Sequence, residues 1–438
     1  MARKQRDWGF SFSREMVLDS ESIPPVLRNY RAEAWKAYQD LPFPTLKDEA
    51  WRRTSLRDFD FGAVQLSYPD LSDGKTSPNP FGVIPESLFK EHSTALLSPQ
   101  GVEINRSEML IETGVIFSSL EDAAENHPDL VEKILGKVIT PGEGKFAAVT
   151  GAFAAQGIFI YVPKGVEVEE PLLGIAFASG EGTAHFFQTL IYLEEGSSLN
   201  YLQETLSPLD QNSPSLSGEN LEIYVGKNAR LNITELQNYG DKVWSFGHKK
   251  ALVERDGNLM WEIGALGSAL SKHFVSVDLI GQGAEARVSG MFFADQDQHL
   301  SFNTLQRHLA PRTTSDLLFK GALKSNGRSV WRGMIYVAPG ARHIDGYQAN
   351  RNLVLDPSAR SDSIPGLEIL NNDVRCTHGS TVGKIDPEQL FYLLSRGIPR
   401  KEAEQLVIQG FFEDILSRFS LQEVGEELWQ NIKMRLLA

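Results

Sequence analysis

The sequence predicts a mainly β chain with a helical region at each end, and three observations carry that reading. Residues 146–374 break into short apolar segments rich in β-branched and aromatic residues, bounded by Gly, Asn, Asp or Pro. No helix-length pattern separates these segments. A glycine turn leading into small and apolar residues returns at Gly196, Gly226, Gly257 and Gly283, then less regularly at Gly327 and Gly340, the first three intervals being about thirty residues each. Such an interval is too long for one hairpin and contains no crossover helix. Stacked coils of a β-helix therefore explain it better than a doubly wound sheet. A β-sandwich produces similar strand and turn signals, and periodicity alone divides evenly between the two.

Residues 1–145 read as an amino-terminal helical region. Leu27, Tyr30, Ala34, Tyr38 and Leu41 recur at helical spacing between Pro24-Pro25 and Pro42-Phe43-Pro44. This predicts an amphipathic helix bracketed by breakers, its aromatic stripe turned to a core. Residues 67–80, rich in Asp, Ser and Pro, read as a loop. Ser118-x-x-Glu121 has the form of a capping box, and Asn126-His127-Pro128 opens a further helix carrying Leu130, Val131, Ile134 and Leu135. His92 and His127 lie among polar residues with no ligand spacing and read as surface groups.

Residues 146–382 hold the β core, with residues 157–162, 172–177, 186–193 and 221–225 among its strands. Either β architecture is stiff and has ends or edges that need covering, for which a partner chain is one solution. His248, His273, His299, His308 and His343 are scattered, form no His-x-His or His-x-x-x-His pair, and read as surface or packing residues. Asp295-Gln296-Asp297-Gln298-His299 places carboxylates at i and i+2 but is more simply a turn.

Residues 383–438 form a carboxy-terminal helical region. Asp386 suits the cap, Pro387 the first helical position, and Gln389 the residue that reaches back. Gly397 fits the place just past the helix end, and Pro399 blocks continuation. The next helix presents Ala403, Leu406, Val407, Phe411 and Ile415 at spacings of three and four, and the last presents Val424, Leu428, Ile432 and Leu436. Three short helices leave apolar surface over, either for packing on the β core or for a docked protein.

Composition removes several function classes. With 43 basic against 57 acidic residues the net charge is −14, which opposes non-specific attraction to nucleic acid or an anionic membrane. A single cysteine excludes an intrachain disulfide framework and suits a reducing compartment. The basic start, residues 1–16, has no apolar core of signal-peptide length and no window approaches a membrane span, so a cytoplasmic protein is expected, or a stromal one if a plastid transit peptide has been removed. The chain lacks Gly-x-x-x-x-Gly-Lys-Ser/Thr, so any ATP hydrolysis belongs to a partner.

The chemically distinctive residues are the lone Cys376 and, two positions on, His378, at the junction between the β pattern and the capped helix. In an extended segment both side chains point the same way, so a thiolate and an imidazole can meet one metal. Two ligands do not complete a tetrahedral site; the rest must come from elsewhere. On spacing alone, packing is the simpler role for both.

Further residues change that balance. Cys376-Thr377-His378-Gly379-Ser380-Thr381-Val382-Gly383, the run Leu390 to Ile398, Glu402-Ala403 and Gly410-Phe411 resemble the carboxy-terminal signature of the SufB/SufD family. Glu49-Ala50-Trp51-Arg52-Arg53-Thr54 and Tyr161-Val162-Pro163-Lys164-Gly165-Val166 extend the likeness over nearly the whole chain. B-type members typically carry His-Glu-Ala where this chain has His378-Gly379-Ser380, and hold several cysteines; the chain is similar to the D-type subunit, SufD.

The resemblance implies a right-handed parallel β-helix core. It also implies a noncatalytic scaffold of the Suf system that pairs with a SufB subunit, docks the SufC ATPase on its carboxy-terminal helices, and forms a homodimer when isolated. Iron or an iron-sulfur cluster would be held transiently near Cys376 and His378, shared with the partner, with His378 the better candidate ligand. The competing class is a carbohydrate-active enzyme on a β-helix, which needs carboxylates gathered in a groove; no paired-carboxylate motif is present.

Overall fold

Strand pairing settles the choice that periodicity leaves open. In a computed structural model, which describes residues 9–18, 23–67, 83–84, 86–98, 101–178, 180–209 and 211–437, the core strands alternate between two ten-stranded sheets. Each pairs in parallel with the strands of the same sheet one coil before and one coil after it. Leu231, for example, stands in register with Leu199 on one side and Leu259 on the other. This is the expected parallel β-helix with helical flanks, not a sandwich.

The sequence folds this way because inward positions stack like on like. Leu221, Ile223 and Val225 face Leu231, Ile233 and Trp261 inside the lumen, all fully buried, as parallel strands covered on both faces require. The turns between sheets need left-handed backbone or close approach. Gly196, Gly283 and Gly340 have positive φ, while a Cβ on Gly226 would stand 2.5 Å from the carbonyl oxygen of Leu193. The quasi-repeat of glycines is thus the repeat of the coil. Asp295 to Gln298 is a turn as read, with Gln296 at φ 51.

The amino-terminal region packs on the first coils. The helix Pro25–Asp40 buries Leu27, Tyr30, Ala34 and Tyr38 of the expected stripe, with Leu41 half-buried at its carboxy-terminal cap, against the helix Lys145–Phe153, where a side chain on Gly151 would strike Tyr30. Two expectations shift. The cap is Ser119, whose hydroxyl accepts from Asp122 N–H at 3.1 Å, because Ser118 lies in the short strand Ile116–Ser119, in register with Phe159. His92 is half-buried beside Glu170 rather than a free surface group. The region also supplies strands: Ile116–Ser119 runs antiparallel to Gln156–Val162, and Thr94–Ser98 and Gly101–Asn105 extend the other sheet. Of the loop expected at residues 67–80, residues 68–80 lie outside the described residues.

At the other end, Asp386 caps the helix Pro387–Ser395 through Glu388 N–H at 2.9 Å, and Gly397 at φ 82 lets Ile398 N–H return to the Leu393 carbonyl. The helices Arg400–Leu416 and Gln422–Leu437 lie on the outer face of the second sheet, Ile408, Phe412, Leu428 and Ile432 packing against Leu236, Leu266 and Phe293. The inward face of the first keeps the expected Ala403 and Ile415 but is otherwise turned by one position. Leu406 is exposed and Phe411 half-buried, while Ile408 and Phe412 go inside. The doublets Val407-Ile408 and Phe411-Phe412 make two adjacent faces equally apolar, so spacing cannot choose between them. Among the described residues no helix is long and apolar enough to cross a membrane.

Candidate functional site

The last strand, Val374–Gly383, pairs only with Ile344–Val354; among the described residues its outer edge is bare. Register then fixes where its chemistry points. Cys376 aligns with Gly346 and His378 with Gln348, and because Gln348 is wholly buried in the lumen, Cys376 and His378 face the mouth of that lumen from the final coil. Cys376 is half-buried and His378 exposed.

A Cβ on Gly346 would lie 3.3 Å from Cys376 Sγ and 3.3 Å from His308 Nε2, so the bare glycine lets His308 come up beneath the cysteine. Sequence reading did not connect these two residues; only the facing of the two sheets across the lumen places them together. His308 is nevertheless engaged on both nitrogens, with Thr313 Oγ1 at 2.7 Å and Ser315 Oγ at 2.9 Å, and burial pulls its pKa down to about 4. It packs, as expected. Burial also pushes the Cys376 thiol up, with the Gly346 backbone working against it; the thiol becomes a ligand when a cation displaces its proton. Among the described residues no group of three His, Cys, Asp or Glu side chains forms a metal cage. A soft sulfur and an imidazole nitrogen suit iron, but they offer two donors, fewer than a closed site needs.

Below the mouth, Trp331 Nε1, Gln348 Oε1 and Asn352 Oδ1 are buried without a hydrogen-bond partner. Deeper in the lumen lies a network that sequence reading missed. Lys249 Nζ sits between Glu219, at 2.8 Å, and Glu235, which also accepts from Trp261 Nε1 at 2.6 Å. In sequence Lys249 is one of a His-Lys-Lys triplet that looks like solvated surface. The carboxylates attract Lys249 strongly enough to overcome burial and raise its pKa, so it is charged. This carboxylate pair is sealed rather than set in a groove, so it is not open to a sugar substrate. Of the other core histidines, His185 meets Gln156 Oε1, His248 stacks on Phe274, His273 meets Ser245 Oγ and His299 meets Thr54 Oγ1, while exposed His343 faces Asp373.

Comparison with known proteins supplies the framework for this geometry. Residues 176–411 match the family model described as SUF system FeS cluster assembly, SufBD core domain, and residues 83–173 match the SufBD protein N-terminal region. The chain belongs to the SufBD family. It is 32% identical over 416 residues to an iron-sulfur cluster assembly SufBD family protein of Staphylococcus epidermidis, covering 92% of this chain and 88% of that one. A protein of the same description from Staphylococcus saprophyticus is 29% identical over 437 residues, covering 97% and 92%. As a SufBD protein it is a component of iron-sulfur cluster assembly, and Cys376 and His378 fall inside the matched core.

Proposed function

We propose that this SufBD protein is a noncatalytic D-type scaffold subunit that pairs with a SufB subunit through the open end of its solenoid and docks the SufC ATPase on its carboxy-terminal helices. The observation that carries the proposal is the bare terminal coil with Cys376 and His378 at its mouth. The cluster is cargo, not a resident group. His378 offers an exposed imidazole lone pair, Cys376 a thiol that a cation can deprotonate, and the SufB subunit completes the coordination. Gly379, in place of the glutamate of B-type members, and the single cysteine favour the D-type reading. Pro365 removes a backbone donor from the neighbouring terminal strand Arg360–Ile369, so Val374–Gly383 is the better edge for a partner strand. A second copy of this chain covers the same edge when the SufB subunit is absent.

Docking of the ATPase is supported by apolar side chains left outward around the helix Pro387–Ser395, where Phe391 is 73% and Tyr392 57% exposed. Half-buried Phe411, its ring 4.6 Å from Lys320 Nζ, belongs instead to the inner contact. Coexpression with candidate SufB and SufC subunits tests the reading. All three chains are expected to copurify, and Phe391→Asp to lose SufC at a cost of about 2 kcal/mol or more while retaining SufB. A stable chain that captures neither partner, or that hydrolyses a polysaccharide, overturns it. A cytoplasmic location belongs to the same proposal.

A further inference from the structure

The segment Glu49-Ala50-Trp51-Arg52-Arg53-Thr54 has no part in the site just described, yet it is fixed with care. Lys272 Nζ donates to the Ala50 carbonyl at 2.7 Å, Arg332 bridges to Glu49 at 2.7 Å, and Thr54 meets His299 Nε2 at 3.2 Å. The anchored strap holds Arg53 over one corner of the solenoid. There His299, Arg328 and Arg360 stand in register on three successive coils, roughly 4.8 Å apart from coil to coil.

The local charge is unusual for a chain of net charge −14. Arg328 and Arg360 are like charges directly opposite one another, an arrangement that costs stability unless something lies between them. Asp362 accepts from Arg360 Nη2 at 3.1 Å and Nε at 3.2 Å, and reaches Arg53 only at 3.6 Å. The exposed Arg328 guanidinium has no hydrogen-bond or ion-pair partner among the described residues, although its backbone N–H is tied to the Gln298 carbonyl. These groups line a cleft with two lobes. The inner lobe, about 130 Å3, is walled by Arg53, Arg328, Arg360, His299 and Asp362. The outer, about 510 Å3, shares Arg53, His299 and Arg328, is edged by Ser55, Asp58, Asp297, Asn326 and Ser358, and has an apolar wall of Trp244, Ala269 and Leu270.

We propose that this cleft binds a phosphate group. It sits in the inner lobe, where three guanidinium groups meet one carboxylate and planar N–H forks match its oxygens. The outer lobe is rich in hydroxyl, amide and carboxylate groups that suit the hydroxyls of a sugar, so the fitting ligand class is a sugar phosphate monoester. Asp58 and Asp297 keep the anionic end of the ligand inward. Binding ties the amino-terminal strap to Arg360 on the last coil but one strand from the cluster-site residues, and it does not depend on the partners proposed above.

Calorimetric titration of the full chain at constant ionic strength tests this with inorganic phosphate and with ribose 5-phosphate. Saturable binding at millimolar concentration or below is expected, weakened about tenfold or more by Arg328→Ala and by Arg53→Ala, and unchanged in Arg230→Ala on the opposite sheet. Without ligand, Arg328→Ala should melt no lower than the parent, since it removes a repulsion. Tighter binding of the ester means that both lobes are used; equal binding confines the site to the inner lobe. Absence of saturable binding by either probe, or binding that survives Arg328→Ala, overturns the proposal.

Discussion

The two ends of the solenoid are built from the same strands and finished in opposite ways. At the first coils Leu172–Phe177 is buried at every position; in the last strand, Val374–Gly383, no position is. The chain closes its first end with its own antiparallel strands and with carboxylates that grip covering segments by their backbone N–H groups. Glu204 accepts from Val83 and Ile84, and Glu222 from Gly136, Val138 and Ile139. At the last coil nothing comparable is present among the described residues. A parallel sheet has free donors and acceptors at every end it does not cover, so the end left bare is the one available to another chain, and it is there that the thiol and imidazole lie. The comparison predicts that substitutions toward the closed end act on stability and substitutions at the open end on assembly.

The largest stability effect is expected inside the closed part. Lys249→Met leaves Glu219 and Glu235 buried together without their cation, and breaking a buried ion pair from one side costs about 3–5 kcal/mol. Urea denaturation should show that loss. The triple change Lys249→Met, Glu219→Gln, Glu235→Gln should recover much of it, because neutral amides need no counter-charge. A Lys249→Met protein as stable as the parent would mean that the lumen is hydrated and the contrast between the ends is weaker than drawn.

A smaller effect concerns the carboxylate clamps and pH. Burial raises Glu222 to about 7, against the opposing pull of the backbone N–H groups of Gly136, Ile139 and Val138 and of Gln188, and Glu204 likewise to about 7. A carboxyl whose folded pKa lies above its unfolded value contributes stability that is complete below about 4.5 and lost as pH rises through about 7. For Glu222 this amounts to at most about 3 kcal/mol. Stability should therefore fall between pH 5 and pH 8 more steeply in the parent than in Glu222→Gln. Equal slopes, or a shallower parent slope, would show that the N–H donors win over burial and hold the group ionised.

How much of this was legible in the sequence depends on the range of the interaction that decides it. The helix Pro25–Asp40 and the cap at Asp386 follow from neighbouring residues, and both are found. The β-helix was legible as a thirty-residue glycine turn, but only pairing between coils distinguishes it from a sandwich. Cys376 and His378 were visible as a pair because a strand puts i and i+2 on one face. His308 beneath Cys376 and the carboxylates about Lys249 were not, since they join residues on different coils, and mostly on opposite sheets, across the lumen. The inward face of the helix Arg400–Leu416 was right at Ala403 and Ile415 and wrong between them for a local reason: two apolar doublets make its faces interchangeable.

The smallest effect on stability, and the sharpest on function, is expected at His378. Its side chain is exposed on a strand edge with no hydrogen-bond partner among the described residues, so His378→Ala should change unfolding free energy by no more than about 0.5 kcal/mol. If it donates a ligand across the interface, the same change removes cluster assembly in cells lacking the native gene while SufB and SufC still copurify, because a lost ligand cannot be replaced by packing. Cys376→Ser should have the same effect or a lesser one, and His378→Cys should restore part of the activity, as a thiolate also binds iron. The comparison between the ends makes the outcome readable: at the closed end a loss of assembly would accompany a loss of fold, whereas here the two should separate. Normal assembly in His378→Ala, or its loss only together with loss of the complex, would reduce His378 to an exposed side chain on a docking edge.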